Sequence, residues 1–294
     1  MNSGQLLLHN ATRSQIDTFT ASPGSALLLT GQAGSGKKTV AKYLAATLLG
    51  SEVDRLDKQS HFLLINKPEA KTEIPIESIR QLINKVSLKA PTAAGRPINR
   101  VVLIQDAQHL SIEAQNALLK LLEEPPAGTL LVLTAANEDD LLPTVVSRVQ
   151  KIYISQPSLV DSINFFDTHP KSAVDSAWRL SQGGAGLLSA ILSQEATHPL
   201  KIAVEQAKSF ISQKTYQRLI SLQKISKNKA ELITFLDGLA KVLGVLHAQS
   251  LASNRPNSSK ILLSRQAVEQ AIKSVQNNTN TRLVSLQLAL NIPL

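Results

Sequence analysis

The sequence contains no cysteine, which excludes disulfide bonds and thiolate zinc sites. Aromatic residues make up only 3% of it, so its apolar core must be built from aliphatic side chains. No apolar run reaches the roughly 18 residues needed to span a bilayer, and no membrane partner is expected. The opening residues Met1-Asn2-Ser3-Gly4-Gln5 lack the basic start and small-residue cleavage site of a secretory signal, so a cytoplasmic location is expected. The six histidines show no metal-ligand spacing, and no metal is expected.

The chain has 294 residues, 43% of them hydrophobic, which suggests a helix-rich globular protein of two or three domains. Its charge is unevenly placed. Residues 200–294 hold 13 Lys and Arg against 4 Asp and Glu, whereas residues 1–199 hold 18 of each sign. The whole net charge of +9 therefore lies in the last third. A basic region can meet nucleic acid or an acidic protein, and lysine-rich helix faces also serve solubility alone.

The first half alternates strand and helix patterns. Strand candidates are Ser25–Thr30, Leu63–Ile65, Val101–Ile104 and Leu130–Thr134. Helical spacing marks Thr39–Leu49, stopped by Gly50, and Ile76–Val86. Ser111 is placed to cap a helix over Ile112–Leu122, ended by Glu124-Pro125-Pro126. Such alternation predicts a doubly wound α/β sheet. After Gln156-Pro157 the strand signals vanish. Short helices are expected over 158–167, 171–182 and 186–194, then longer ones over about 202–223, 228–252, 264–276 and 281–290, with 253–259 as a loop.

Between the first strand and helix lies Gly31-Gln32-Ala33-Gly34-Ser35-Gly36-Lys37-Lys38-Thr39. The pattern G-x-x-x-x-G-K-[ST] uses glycines to turn backbone N–H groups around phosphates, a lysine for the outer phosphates and a hydroxyl for Mg²⁺. Gly31, Gly34, Ser35, Gly36, Lys37, Lys38 and Thr39 make a nucleotide-binding candidate. Lys38 stands where the hydroxyl belongs, and a cation cannot ligate a cation. Thr39 comes one residue late, about 100° around a helix. In phosphate-loop ATPases a second strand ends in Asp-Glu, supporting Mg²⁺ and polarising water. Here the run Val101–Ile104 ends in Gln105-Asp106, so a neutral amide takes the metal-side position. Two losses at one function argue against hydrolysis, while the loop leaves room for ATP or ADP to bind without competent cleavage.

Further along, Ala114-Gln115-Asn116-Ala117-Leu118-Leu119-Lys120-Leu121-Leu122-Glu123-Glu124-Pro125-Pro126 is followed by Leu142-Pro143-Thr144-Val145-Val146-Ser147-Arg148. With the loop before them, these blocks resemble the AAA+ subunits of the bacterial DNA-polymerase sliding-clamp loader, above all the delta-prime branch. The resemblance covers residues 1 to about 195. It implies an α/β AAA+ domain with a parallel sheet over 1–156, a small helical lid over 157–198 and an all-α collar for oligomerisation over 199–294. It also implies a place in the DNA polymerase III holoenzyme. The partners would be gamma/tau-like ATPase and delta-like subunits in a hetero-pentamer, with the sliding clamp and primer-template DNA met through the complex. Arg148, after Ser147, would be an arginine finger acting in trans on a neighbour's ATP. Val149 replaces a cysteine that need only pack. Leu187 stands where the family's sensor arginine would be. Residues 51–60 lack the cysteines of a zinc module, and no zinc is expected. The polar sensor after the third core strand falls at Ala135 or Ala136, flanked by Thr134 and Asn137. Arg80 would face DNA phosphates, with Lys85 and Lys89 nearby.

Three readings follow. The first is a scaffold subunit that hydrolyses nothing itself and supplies Arg148 to a neighbour. The second is an active gamma/tau-like ATPase, which Lys38, Gln105 and Leu187 oppose. The third is a basic DNA-binding module on a vestigial nucleotide fold.

Overall fold

The computed structural model describes residues 6–32, 34–68, 71–87, 96–193, 197–253 and 258–293. They divide into two compact units, Met1–Phe165 and Phe166–Leu294, and that division lies inside the span expected for a lid.

The first unit contains a five-stranded sheet: β1 (Ala26–Thr30), β2 (Phe62–Ile65), β3 (Arg100–Ile104), β4 (Thr129–Ala135) and β5 (Gln150–Tyr153), ordered β2-β3-β4-β1-β5. All four pairings are parallel. Parallel strands need covered faces, and the alternation of side chains supplies two. Leu27, Leu29, Val101, Leu103, Leu130 and Val132 pack into one core, while Ala26, Leu28, Val102, Ile104, Leu131 and Leu133 pack into the other. Helices α1 (Asn10–Ala21) and α2 (Lys37–Leu49) contribute Ile16, Phe19, Val40 and Leu44 to the first core. Helices α3 (Ile76–Ser87) and α4 (Ile112–Glu123) contribute Ile79, Leu82, Leu118 and Leu121 to the second. The short helices α5 (Pro143–Val146) and α6 (Leu159–Phe165) follow.

Three of these elements, β5, α1 and the four-residue α5, escaped the sequence patterns. β5 is an edge strand whose only buried side chain is Ile152, so it has no apolar run to read. α1 buries just Thr12, Ile16 and Phe19, and the His9 ring nitrogen, not a usual N-cap group, accepts from Ala11 N–H at 3.2 Å. Ser111 caps α4 as expected, accepting from Ala114 N–H at 3.2 Å.

The second unit is helical: α7 (Lys171–Ser181), α8 (Ala185–Leu192), α9 (Pro199–Ser212), α10 (Thr215–Ile225), α11 (Lys229–Ala252), α12 (Ser258–Gln276) and α13 (Thr281–Asn291). The single helix expected over 202–223 is two helices, broken at Gln213-Lys214. The break lets buried Arg218 of α10 turn back on the end of α9, donating to Phe210 O at 3.2 Å and Ile211 O at 2.9 Å. Ser258 and Ser259, expected in a loop, open α12, and Gln194 lies outside the described residues. α9 and α11 cross closely at Gly238, where a Cβ would sit 2.7 Å from the Ala203 carbonyl carbon. No described helix is long and apolar enough to cross a membrane.

Candidate functional site

The carboxyl ends of the parallel strands converge where such sheets usually take ligands. β1 ends in buried Thr30 and passes into Gly31 at φ +150°, where a Cβ would lie 2.6 Å from the carbonyl oxygen of Ile154. That approach admits only glycine. Gly34 (φ +79°) and Gly36 (φ +89°) have open space around them, so their left-handed backbone is what demands glycine. Gly36 is the N-cap of α2. Ala33 lies outside the described residues.

Lys37 folds over this turn. Its ammonium donates to Gly31 O at 2.6 Å and to Gln32 O at 2.9 Å. Burial lowers its pKa, and the negative charge of Asp106 works in the opposite direction. The Ser35 hydroxyl oxygen is buried with no hydrogen-bond partner among the described residues. Lys38 and Thr39 are both exposed on the first turn of α2.

β3 delivers Gln105 and Asp106 beside the loop. Asp106 is left-handed at φ 51°, and its N–H donates to Thr134 Oγ1 at 2.9 Å. Gln105 donates from Nε2 to Asp106 Oδ2 at 3.1 Å, while its own Oε1 is buried without a described partner. A neutral amide thus engages the one carboxylate of the pair. These residues do not fit Mg²⁺: the hydroxyl position is a cation and the first acidic position an amide. Among the described residues no group of three or more His, Cys, Asp or Glu could hold a metal ion. Thr134 was legible only as a polar residue flanking the sensor position. Its role of anchoring Asp106 is a contact across 28 residues that no local pattern encodes.

The two long motifs of the sequence meet in space. Gln115 of α4 is buried, accepts from Leu142 N–H through Oε1 at 2.8 Å and donates to Leu110 O at 3.3 Å. This pins the Leu142-Pro143 segment to α4. Ser147 ends α5, and Val149 packs into the second core. Between them Arg148 keeps its side chain 35% exposed. Its Nε and Nη2 both reach Glu123 Oε1, at 2.8 and 2.6 Å. Its Nη1 donates to Thr144 O at 2.8 Å and to Ser147 Oγ at 3.2 Å. None of these partners belongs to the phosphate loop or to the Gln105-Asp106 pair.

The remaining candidates stand apart. Arg80 and Lys85 are exposed on α3, and Lys89 lies outside the described residues. Leu187 is buried in α8 and packs into the core of the helical unit.

Residues 16–158 match the family model described as DNA polymerase III, delta subunit. The DNA polymerase III subunit delta' of Pseudomonas aeruginosa is 27% identical over 206 residues, covering 64% of this chain and 62% of that protein. The subunit delta' of Haemophilus influenzae is 33% identical over 141 residues, covering 48% of this chain and 41% of that protein. The matched stretches therefore span less than two thirds of these relatives. A crystal structure of a DNA polymerase III gamma-subunit-related protein from Thermotoga maritima superposes with TM-score 0.56 at 18% identity, covering 95% of this chain and 98% of that one. That likeness is one of fold.

Proposed function

We propose, on the match over residues 16–158 and the likeness to subunits named delta', that this chain is a delta-prime-like clamp-loader subunit that helps to load a sliding clamp onto primed DNA as a scaffold that hydrolyses no ATP itself. Its partners in this reading are gamma/tau-like ATPase and delta-like subunits of a cytoplasmic hetero-pentamer, with the clamp and primer-template DNA reached through the complex. Residues 157–198 serve as the lid and 199–294 as the collar through which subunits assemble. Arg80, exposed on α3, contacts DNA phosphate.

One observation carries the reading. Lys38 stands on the first turn of α2, where the motif places a hydroxyl for Mg²⁺, and the Gln105 amide donates to the Asp106 carboxylate, so both usual side-chain supports for the metal are replaced. ATP or ADP held by residues 31–39 then stays uncleaved. Arg148, by contrast, retains the planar, permanently charged fork that stabilises charge on a transferring phosphoryl group. It stands at the surface, where it can act on a neighbour's nucleotide and not on this chain's own.

The test is ATP turnover by the pure chain and by the complex assembled with its ATPase partners. The chain alone is expected to be silent. Arg148→Ala is expected to slow the one site it serves by ~10³, the lower range for arginine fingers, and so to lower turnover of the complex several-fold. Turnover by the isolated chain at the level of a competent ATPase, or an unchanged rate with Arg148→Ala, overturns the reading.

A further inference from the structure

An arginine that is to meet a phosphoryl group must offer at least two adjacent N–H donors. A guanidinium has five. In this structure Nε donates to Glu123 Oε1, Nη2 lies 2.6 Å from the same oxygen, and Nη1 donates to Thr144 O and Ser147 Oγ. Every guanidinium nitrogen is engaged inside the chain. The side edge of the fork faces a carboxylate, which, like a phosphate, offers anionic oxygens that accept from a guanidinium. Glu123 is itself anchored at the last residue of α4, so the pair bridges the two motif blocks over 25 residues.

Resting on the arginine-finger reading above, we infer that Glu123 is a positioning residue that holds Arg148 in reserve: its carboxylate occupies the guanidinium until a neighbour's polyphosphate displaces it. The energetics suit a reversible hold. Glu123 is 50% exposed and Arg148 35% exposed. Pairs of this exposure are worth up to about 1 kcal/mol, corresponding to roughly 2–5-fold in occupancy. A nucleoside triphosphate carries several negative charges and outbids a single carboxylate. The Thr144 and Ser147 contacts leave the guanidinium anchored near the turn after α5 when Glu123 lets go.

Two measurements test this on the full chain. In the chain alone, the rate of phenylglyoxal modification at Arg148, read by peptide mass spectrometry, reports the free guanidinium. Glu123→Gln keeps the shape and removes the charge, and Glu123→Ala removes the acceptor. Both are expected to raise the rate by roughly 2–5-fold at low salt, with the gap to wild type narrowing as ionic strength rises. In the assembled complex without DNA or clamp, the same variants are expected to raise basal ATP turnover by a similar factor. A merely structural loss would lower it. Unchanged modification rates, or a lowered basal turnover while Arg148→Ala also lowers it, overturn the role given to Glu123. If Arg148→Ala leaves turnover unchanged, the finger reading itself fails. Faster modification of the Glu123 variants would then show only that the contact holds Arg148, and the reserve role would fall with the finger.

Discussion

Lys37 carries a charge into a half-buried turn, and the cost of that burial has a measurable sign. Its pKa in the folded chain is lowered from 10.5 by desolvation, with Asp106 opposing. In the window between the lowered value and 10.5, the unfolded chain binds more protons than the folded one, so stability rises with pH there. At lower pH the burial penalty is constant. Lys37→Met removes the titrating group, so the stability of wild type relative to this variant should improve as pH climbs toward 10.5. Urea melts at stepped pH measure this, and a difference that is flat or moves the other way would show that the ammonium is not desolvated. The place of this loop was legible in sequence, because its glycines and Lys37 stand at fixed offsets between a strand and a helix. What was not legible is which groups the retained residues touch. The Lys37 contacts to Gly31 and Gln32 depend on how the loop folds back. Thr134 with Asp106, Gln115 with Leu142 and Arg148 with Glu123 are pairings across 25 to 28 residues, set by how strands and helices stack.

At the level of elements, apolar patterning was a good guide to β1, β3, β4 and the apolar edge strand β2, and a poor one at the other edge, where β5 runs. β1, β3 and β4 are buried along their whole length and read as continuous apolar runs, whereas β5 shows one buried residue in four. Helix periodicity also ran on through the join of α9 and α10, because a break of two polar residues leaves the apolar spacing nearly intact. The join has its own chemistry. Arg218 is buried on α10, its guanidinium 5.5 Å from the centroid of the Phe210 ring, and it donates to Phe210 O, Ile211 O and, at 3.4 Å, Ile292 O. The first two carbonyls end α9 and the third follows α13, where a helix leaves acceptors to be filled from outside, although Phe210 O also accepts from Gln213 N–H at 3.2 Å. Arg218→Met keeps most of the volume and strands the Ile211 and Ile292 carbonyls. It should cost about 3 kcal/mol in urea denaturation of the full chain. Arg218→Lys should recover less than half of that, since one ammonium cannot reproduce the fork. A loss below about 1 kcal/mol for the methionine variant would mean that water or relaxation satisfies the carbonyls.

At the scale of the whole molecule, the recognisable motifs all fall in the first unit, while the net charge of +9 resides in residues 200–294 of the second. The helical unit also keeps apolar side chains at its surface. On α13, Leu283, Leu286 and Leu290 are 51%, 50% and 60% exposed, while Val284, Leu288 and Ala289 are buried. Spacings of three and four residues put the exposed leucines on one face of the helix. α10, which packs against α13, exposes Tyr216 and Ile220. A face of this kind suits the collar role proposed for residues 199–294, in which subunits bury it against one another. The double variant Leu286→Glu, Leu290→Glu tests that role without emptying the core. Because both leucines are at least half exposed, the melting of the chain alone should stay within about 0.5 kcal/mol of wild type. Association with the ATPase and delta-like partners, followed by sedimentation, should weaken by ~10-fold or more if the leucines sit near the centre of the buried face. Repeating the measurement at about 0.1 M and about 1 M salt separates apolar burial from charge, because screening weakens exposed ion pairs and leaves apolar contact intact. If the variant assembles as wild type does at both salts, the collar contact is made elsewhere. If only the low-salt affinity of wild type is high, the basic surface and not the leucine face brings the subunits together.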